Sequence, residues 1–404
     1  MNLKFTFFSF FIVLYSFSQT NINGIITSKN IPLEGASVYL NNTTIGTITD
    51  EKGAFELNFK EGNYTLVVSF LGYKTYQKSI NTIDQKNIEI TISLEEDNEF
   101  LDEVEIKKIV YDDEWKYNLA RFKQAFLGKT KLASTCKILN EKDLFFDFNY
   151  KTNTLSATAR KPLKIKHNGL GYLIEYDLIN FELGSKTLFF SGYAQYKNLR
   201  KSIRKKWKKN RHVAYNGSRM HFLRSLLNKE LKKDGFVINK FRRVANKERP
   251  SEEKIRFARE YLKLHGNRIN YSRKIEEPKT TLDSAIVIAN KARLPKYRDY
   301  LYKRDVPINE MISFQKTTPF LDFTDYLMII YTKEPEEENY VQGIFGKKRK
   351  QSDVQTSHLV LLQGKSEIDK MGIMIDPNAV FNEGYWSFES FANMLPLNYQ
   401  PSKK

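Results

Sequence analysis

The sequence predicts an all-β sandwich at the N-terminus, followed by a larger α+β region. Apolar and polar residues alternate with period two in four short segments between residues 36 and 94, the pattern of strands with one buried face. After residue 113, helical and alternating patterns both occur, as in an α+β region. The net charge of +18 is uneven: residues 1–110 carry nine Lys and fourteen Asp or Glu, a net −5, so residues 111–404 carry +23.

The first eighteen residues have the features of a secretion signal. Lys4 supplies the positive start, and Phe5 to Phe17 form an apolar run too short for a comfortable bilayer span. Ser16 and Ser18 are small residues at the positions that a signal peptidase requires. We therefore expect export to the periplasm or the outer-membrane periphery, with no transmembrane span in the mature chain.

The alternation assigns faces to the strands of the sandwich. It directs Val38 and Leu40 toward the core and Tyr39 toward solvent. The segment from Asp50 to Gly53 has the residues of a tight turn, because Asp can accept hydrogen bonds from the turn and Gly tolerates positive φ. These features predict a compact module with one buried face per sheet.

Four motifs in this module resemble the carboxypeptidase regulatory-like domain. They are Gly24-Ile25-Ile26, the segment Pro32 to Val38, the segment Gly46 to Phe55, and Phe70-Leu71-Gly72-Tyr73. The resemblance implies a transthyretin-like (prealbumin-like), Greek-key sandwich. It also implies an exported envelope protein of the Bacteroidetes type, a group that includes TonB-dependent receptors. The domain is an accessory to carboxypeptidases, so the resemblance implies no catalytic residue within the module.

The rest of the chain does not match the receptor architecture. About three hundred residues follow the module, fewer than a plug and a barrel of many strands would need, so we expect this chain not to be such a receptor. Leu170-Gly171-Tyr172, Gly384-Tyr385-Trp386 and neighbouring motifs resemble segments of uncharacterised proteins that carry the same module. That resemblance implies no activity.

We expect four segments in the chain. The predicted bounds are a signal peptide at 1–18, the β-sandwich at 19–96, an acidic linker at 97–112 that holds an exit strand from Leu101 to Ile106, and a basic α+β domain at 113–404 with a subdivision near 235–320.

The basic domain is predicted to begin and end with strands and to be helical in the middle. A helix is expected after Asp112, ending at Gly128, and another from a Ser218 cap to Gly235. Further helices are expected over 251–266 and 282–291. Strands are expected at Leu144–Tyr150, Thr154–Ala159, Leu163–His167, Tyr172–Phe181, Thr187–Tyr196, Asp322–Thr332, Gln355–Gln363 and Gly372–Ile375.

The familiar catalytic motifs are missing. None of the five histidines begins a His-x-x-Glu or His-Glu-x-x-His motif, which disfavours a zinc carboxypeptidase. Gly-x-Ser-x-Gly, the Walker A motif and Gly-x-Gly-x-x-Gly are also absent from the sequence. The single Cys136 excludes an intrachain disulfide framework and a Cys-rich metal site. We predict no cofactor and no metal.

One basic segment stands out. Residues 183–229 contain no Asp or Glu, and nine Lys or Arg fall within residues 197–211. Such a segment could contact nucleic-acid phosphates, but the predicted export argues against nucleic acid. An anionic envelope surface or an envelope protein is then the expected partner. The candidate binding residues are Lys205, Lys206, Lys208, Lys209, Arg211, His212, Tyr215 and His221.

Alternatives remain for this segment and for the function. The segment could be a solvated helix face, or Ile203 and Trp207 could anchor a short interfacial helix on a membrane. Ser218, His212 and His221 could instead satisfy local hydrogen bonds. The sequence favours a non-catalytic exported protein that joins a β-sandwich scaffold to a basic domain binding an anionic surface or partner. The alternative is an enzyme of unrecognised type, a hydrolase of peptide or glycan with its site in the C-terminal region.

Overall fold

A computed structural model describes residues 19–82, 85, 87–97, 109–185, 187–265, 275–341, 349–369 and 371–402. The predicted signal peptide and the predicted exit strand from Leu101 to Ile106 lie outside these residues.

Strands dominate the fold. The strands are β1 (Gln19–Ser28), β2 (Ile31–Pro32), β3 (Ser37–Leu40), β4 (Gly46–Ile48), β5 (Ala54–Lys60), β6 (Asn63–Ser69), β7 (Tyr76–Asn81), β8 (Asn87–Ser93), β9 (Cys136–Ile138), β10 (Leu144–Asn149), β11 (Thr154–Ala159), β12 (Leu163–His167), β13 (Tyr172–Leu183), β14 (Leu188–Asn198), β15 (Phe236–Ala245), β16 (Tyr297–Lys303), β17 (Ile312–Gln315), β18 (Thr318–Leu321), β19 (Tyr326–Tyr331), β20 (Gln355–Leu361), β21 (Ser366–Asp369), β22 (Ile373–Met374) and β23 (Val380–Gly384). The helices are α1 (Asp113–Leu127), α2 (Lys205–Tyr215), α3 (Arg219–Leu227), α4 (Leu231–Asp234), α5 (Glu252–His265), α6 (Thr281–Lys291) and α7 (Tyr385–Glu389).

The N-terminal module is a sandwich of two four-stranded sheets, which confirms the predicted fold class. One sheet has the order β2-β1-β5 with β8 paired to β1, and the other has the order β4-β3-β6-β7. Apolar side chains from both sheets form one core, in which Ile22, Val38, Leu40 and Leu66 have no exposed surface. The alternation predicted this core because one face of each sheet is buried.

The outer face of the second sheet is buried too. Tyr39 and Val67 are cross-strand partners on that face, and only 5% and 0% of their surface is exposed. The prediction that Tyr39 faces solvent is therefore wrong. The outer face packs against the basic region: the Asn42 amide donates to the Ala194 carbonyl at 2.7 Å, and the Tyr196 amide donates to the Thr43 carbonyl at 2.9 Å.

The last residues of the basic region bind the same loop of the module. The Leu397 amide donates to the Asn42 carbonyl at 2.7 Å. Asn398 Nδ2 donates to Thr44 Oγ1 at 2.6 Å, and the Thr44 amide donates back to Asn398 Oδ1 at 3.1 Å. The loop from Asn41 to Thr44 is thus held between β14 and the C-terminal segment.

The basic region is α+β, as predicted, and contains two main hydrophobic clusters. The first joins α1 to the sheet β10-β11-β13-β12-β9, with β14 paired to β13. The second lies on the sheet β16-β15-β19-β20-β23 and the sheet β17-β18-β21-β22. Along the chain, the core passes from the first cluster to the second between Tyr215 and Phe222, and it returns to the first cluster at Phe391. The predicted domain bounds and the subdivision near 235–320 stay predictions.

Most of the predicted elements are confirmed, within a few residues at their ends. Asp112 caps α1 by accepting a hydrogen bond from the Trp115 amide, and Gly128 follows the helix at its end. The single helix predicted between Ser218 and Gly235 is wrong. It ends at Leu227, because Lys229 adopts φ +59° and breaks the helix before the short α4. The predicted helical middle also contains two unpredicted strands, β15 and β16.

None of the helices in the described part of the chain has the length and apolar composition that a bilayer crossing requires.

Candidate anion-binding surface

The basic segment folds into helix α2, which has one buried side. Trp207, Arg211, Ala214 and Tyr215 are its buried residues. Their spacing of four, three and one places them on one face of an α-helix. The intervening positions therefore face outward.

Helix α2 is clamped onto the turn between β12 and β13. Trp207 Nε1 donates to the Asn168 carbonyl, Asn210 Nδ2 to the Gly169 carbonyl and Arg211 Nε to the Leu170 carbonyl, each at 2.8 Å. Three helix side chains thus satisfy three consecutive carbonyls of one turn. Hydrogen bonds from buried donors to backbone carbonyls fix the helix on the sheet.

Glycine makes this contact possible. Gly171 has φ +75°, and a Cβ atom at this position would lie 2.2 Å from Cδ2 of Trp207. The indole therefore lies directly against the backbone, a position that no larger residue at 171 would leave open. Trp207 is only 6% exposed, so the interpretation of Trp207 as an anchor in a membrane interface is wrong.

The four candidate lysines of α2 are exposed. Lys205, Lys206, Lys208 and Lys209 lie on the outward side of the helix. Arg200, Lys201 and Arg204 precede them in the chain and are exposed as well. Within the described ranges, none of these seven cations forms an ion pair with a carboxylate. The Arg204 guanidinium lies 5.3 Å from the centre of the Trp207 ring, and the charges of the other six face solvent.

The other four candidates lie on or under α2 and its neighbour α3. Arg211 is buried, with its guanidinium 3.8 Å from the centre of the Tyr172 ring and Nη2 donating to Asn198 at 2.9 Å. Tyr215 and His221 are buried with ring centroids 4.7 Å apart. His212 is partly exposed. The structure brings Tyr215 and His221 together, away from the four lysines' exposed face.

His221 has a full set of local partners. Its Nδ1 accepts from the Gly217 amide at 3.1 Å, and Nε2 lies 3.6 Å from Asp234 Oδ2. Burial lowers the pKa of His221 to about 4, although Asp234 acts in the opposite direction. Ser218 caps α3 by accepting from the His221 amide. These contacts agree with the local hydrogen-bonding interpretation of both residues.

Sequence reasoning missed three further exposed lysines on the strands that lead to the clamped turn or pair with them, at positions 137, 164 and 166. Lys164 and Lys166 are exposed on β12, the strand that ends at the clamped turn. Lys166 is the direct cross-strand partner of exposed Lys137. Like charges in direct opposition destabilise an antiparallel pair, and neither lysine has a carboxylate partner among the described residues. The alternation of Lys with Leu163, Ile165 and His167 was the signal that could have revealed the two lysines of β12.

Several titratable groups outside α2 have perturbed pKa values because they are buried. Burial raises the pKa of Glu389 to about 8, and Glu337 and Glu334 add to this effect. Burial raises the pKa of the Cys136 thiol to about 12, the opposite of the shift that activates a nucleophile. His167 is buried, with Nε2 2.8 Å from the Ala392 carbonyl oxygen.

Cavities and clusters of metal-binding side chains are the other features of the described residues that can indicate chemistry. A concave surface of about 540 Å³ lies on the outer face of the first sheet of the sandwich, around Gly24, Glu56 and Glu89. Across the described ranges, no group of three or more His, Cys, Asp or Glu side chains could hold a metal ion.

The module has a recognisable family. Residues 22–106 match the model of the CarboxypepD_reg-like domain. This match confirms the resemblance carried by the four motifs of the sandwich.

Curated relatives share this module and little more. The chain is 37% identical over 87 residues to the TonB-dependent receptor SusC of Bacteroides thetaiotaomicron, an alignment of 21% of this chain and 8% of the receptor. It is 33% identical over 89 residues to a second TonB-dependent receptor, from Formosa agariphila, covering 22% of this chain and 8% of that protein. The chain thus spans less than a tenth of the length of these relatives.

A solved structure of a DUF3823 family protein from Bacteroides ovatus is also similar. The two chains are 10% identical, and the match covers 45% of this chain and 82% of that one, with a TM-score of 0.17.

Proposed function

We propose that this chain is a non-catalytic protein of the cell envelope whose basic surface binds an anionic envelope surface or an anionic envelope protein. The sandwich serves as a scaffold beside that surface. The observation that carries the proposal is a set of seven cations between Arg200 and Lys209 that have no carboxylate partner among the described residues. Four of them lie on a helix that is clamped to its sheet, and three lie in the segment that leads into it.

The contrast with other cations of the chain supports this assignment. Arg243 pairs with both Asp299 and Glu383, and Arg349 pairs with Glu336. A surface whose cations lack acidic neighbours keeps its positive potential, and that potential attracts an anionic partner at moderate salt. The clamp also limits the conformational entropy that binding would cost, because the helix is already ordered.

Export places this surface among phosphate-rich lipids and acidic proteins. The apolar leader at residues 1–18 and the similarity of the module to TonB-dependent receptors support the envelope as the compartment. Fractionation of cells expressing the full chain tests this part, and recovery of the mature protein in the cytoplasm would contradict it.

Charge reversal tests the surface. The variant carries Glu at Lys205, Lys206, Lys208 and Lys209, four exposed positions on α2. Each Lys near an anionic membrane contributes about 1 kcal/mol, so losing four should weaken binding to phosphatidylglycerol vesicles about a thousandfold. Vesicles of neutral phosphatidylcholine should bind neither protein. The matched control reverses Lys151, Lys161, Lys254 and Lys263, which are exposed elsewhere.

In-cell crosslinking distinguishes the two kinds of partner. Vesicle binding lost in the α2 variant and kept in the control supports a lipid surface. A crosslinked protein lost in the same variant, without vesicle binding, supports an anionic protein. Envelope association and crosslinks that are the same in wild type, variant and control would refute the role of the α2 lysines.

A further inference from the structure

Strand β16 lies at the edge of the sheet β16-β15-β19-β20-β23 and is open to solvent. Four consecutive residues, from Tyr297 to Tyr300, are exposed, and Tyr300 has 62% of its surface accessible. The ring of Tyr300 contacts no other ring or cation among the described residues, and its hydroxyl has no hydrogen-bond partner there.

The outward backbone of this strand is unpaired. The Asn246 amide donates to the Lys296 carbonyl at 3.0 Å, so the peptide groups of residue 296 point toward β15. Because peptide groups alternate in direction along a strand, those of Tyr297, Asp299 and Leu301 point away from β15. In the described ranges, no backbone group bonds to them.

An open edge of this kind is available for pairing with another strand. Natural edge strands are usually short, covered, or interrupted by Pro or inward charges, since unpaired edges recruit other strands. The seven residues of β16 include no Pro and three Tyr. Its charges are already satisfied in part, as Arg298 pairs with Glu248 and Asp299 with Arg243.

The sequence of β16 is complementary to itself in the antiparallel direction. About a two-fold axis at Tyr300, Asp299 faces Leu301 of the second copy, and Arg298 faces Tyr302 of that copy. This register pairs a cation with an aromatic ring and sets no two like charges opposite each other. It also sets the outward peptide groups of Asp299 opposite those of Leu301, while Tyr297 faces Lys303 of the second copy, beyond the register shift with β15 that follows Leu301.

We propose that β16 pairs with β16 of a second copy of this chain, antiparallel about a two-fold axis at Tyr300. Two five-stranded sheets then become one continuous sheet. The interface is isologous, as in most homodimers. The interface uses β16 and not α2, so the dimer would carry two copies of the basic surface.

Two opposite charges at position 300 test the register. Sedimentation velocity of the full chain from about 1 to about 100 µM, where small interfaces associate, should show the mass doubling. Tyr300→Lys and Tyr300→Glu each place like charges across the axis, so each variant alone should stay monomeric. An equal mixture should recover the dimer. Tyr117→Lys, at a position 65% exposed on α1, should dimerise like the wild type.

A disulfide tests the geometry independently. The Tyr300 peptide groups face β15, so across the axis the two residues form a non-hydrogen-bonded pair with Cα atoms about 4.5 Å apart, within disulfide range. Tyr300→Cys in a Cys136→Ser background should oxidise to a covalent dimer. A wild type that stays monomeric throughout, a Tyr300→Lys protein that dimerises normally, or a Lys and Glu mixture that stays monomeric would each overturn the proposal.

Discussion

Replacement of Glu389 by Gln should change how stability depends on pH. Glu389 is 9% exposed, and its Oε1 accepts one hydrogen bond, from Asn393 Nδ2 at 3.3 Å. Burial raises its pKa from 4.5 to about 8. A raised pKa in the folded state means that the neutral carboxyl stabilises the fold below pH 4.5. That contribution is lost as the pH rises through about 8.

The size of the effect follows from the pKa difference. Between the two pKa values, each pH unit lowers the free energy of unfolding by about 1.4 kcal/mol. From pH 6 to pH 8, this carboxyl should cost the wild type about 2 kcal/mol. Gln is neutral at every pH and can accept the same hydrogen bond from Asn393. The Glu389→Gln protein should therefore lose about 2 kcal/mol less over that interval.

Urea unfolding at pH 6, 7 and 8, followed by tryptophan fluorescence, measures this difference. Trp386 lies on the same short helix, α7. Glu338→Gln is the matched control, because Glu338 is exposed in the same neighbourhood and should leave the pH dependence of the wild type unchanged. Parallel pH profiles for the wild type and Glu389→Gln would show that Glu389 ionises freely in the folded protein, and would refute the reasoning.

Two further substitutions test contacts that hold the basic region together. Gly171→Ala places a methyl group against the Trp207 ring and should lower the free energy of unfolding by about 1–3 kcal/mol. The control is Gly364→Ala, where φ is also positive (+81°) but no atom lies within 4 Å of the added Cβ, so its loss should be smaller. Equal losses in urea unfolding would show that contact with Trp207 does not cause the destabilisation. Arg224 donates to the carbonyls of Met371, Tyr399 and Leu397 at 2.7–2.9 Å. Arg224→Lys should therefore lower the free energy of unfolding by about 2–3 kcal/mol and speed proteolysis of the C-terminal segment, whereas Arg256→Lys, at an exposed position, should do neither. Unchanged cleavage in Arg224→Lys would contradict this role.

Sequence patterns predicted the elements that bury one face. Helix α1 has apolar residues at helical spacing and clear signals at both ends, and β11 and β12 alternate strictly, so all three were predicted closely. Strand β15 was missed for a physical reason. Ile238, Asn239, Lys240 and Phe241 are all buried, so both of its faces are covered and no period of two appears.

The candidate surface was only partly predictable, because some of its side chains are buried by residues that are distant in the sequence. The charge of α2 is visible in the sequence, and its exposed lysines follow from it. The burial of Trp207 and Arg211 depends on a turn about forty residues earlier in the chain, and local spacing carries no information about such contacts. Tyr39 was wrongly assigned to the solvent side. The alternation shows which face of a strand packs in the module's own core, and it does not show what packs against the other face.

The loop from Asn41 to Thr44 has a consequence for how the protein is made. Thr44 and Asn398 are 354 residues apart in the chain, so the bonds between them cannot form until nearly all of the chain has been synthesised. Contacts of such long sequence separation form late, because the entropy of closing the intervening loop opposes them. The module can fold early on its local contacts, and its bonds to the C-terminal segment are then among the last to form.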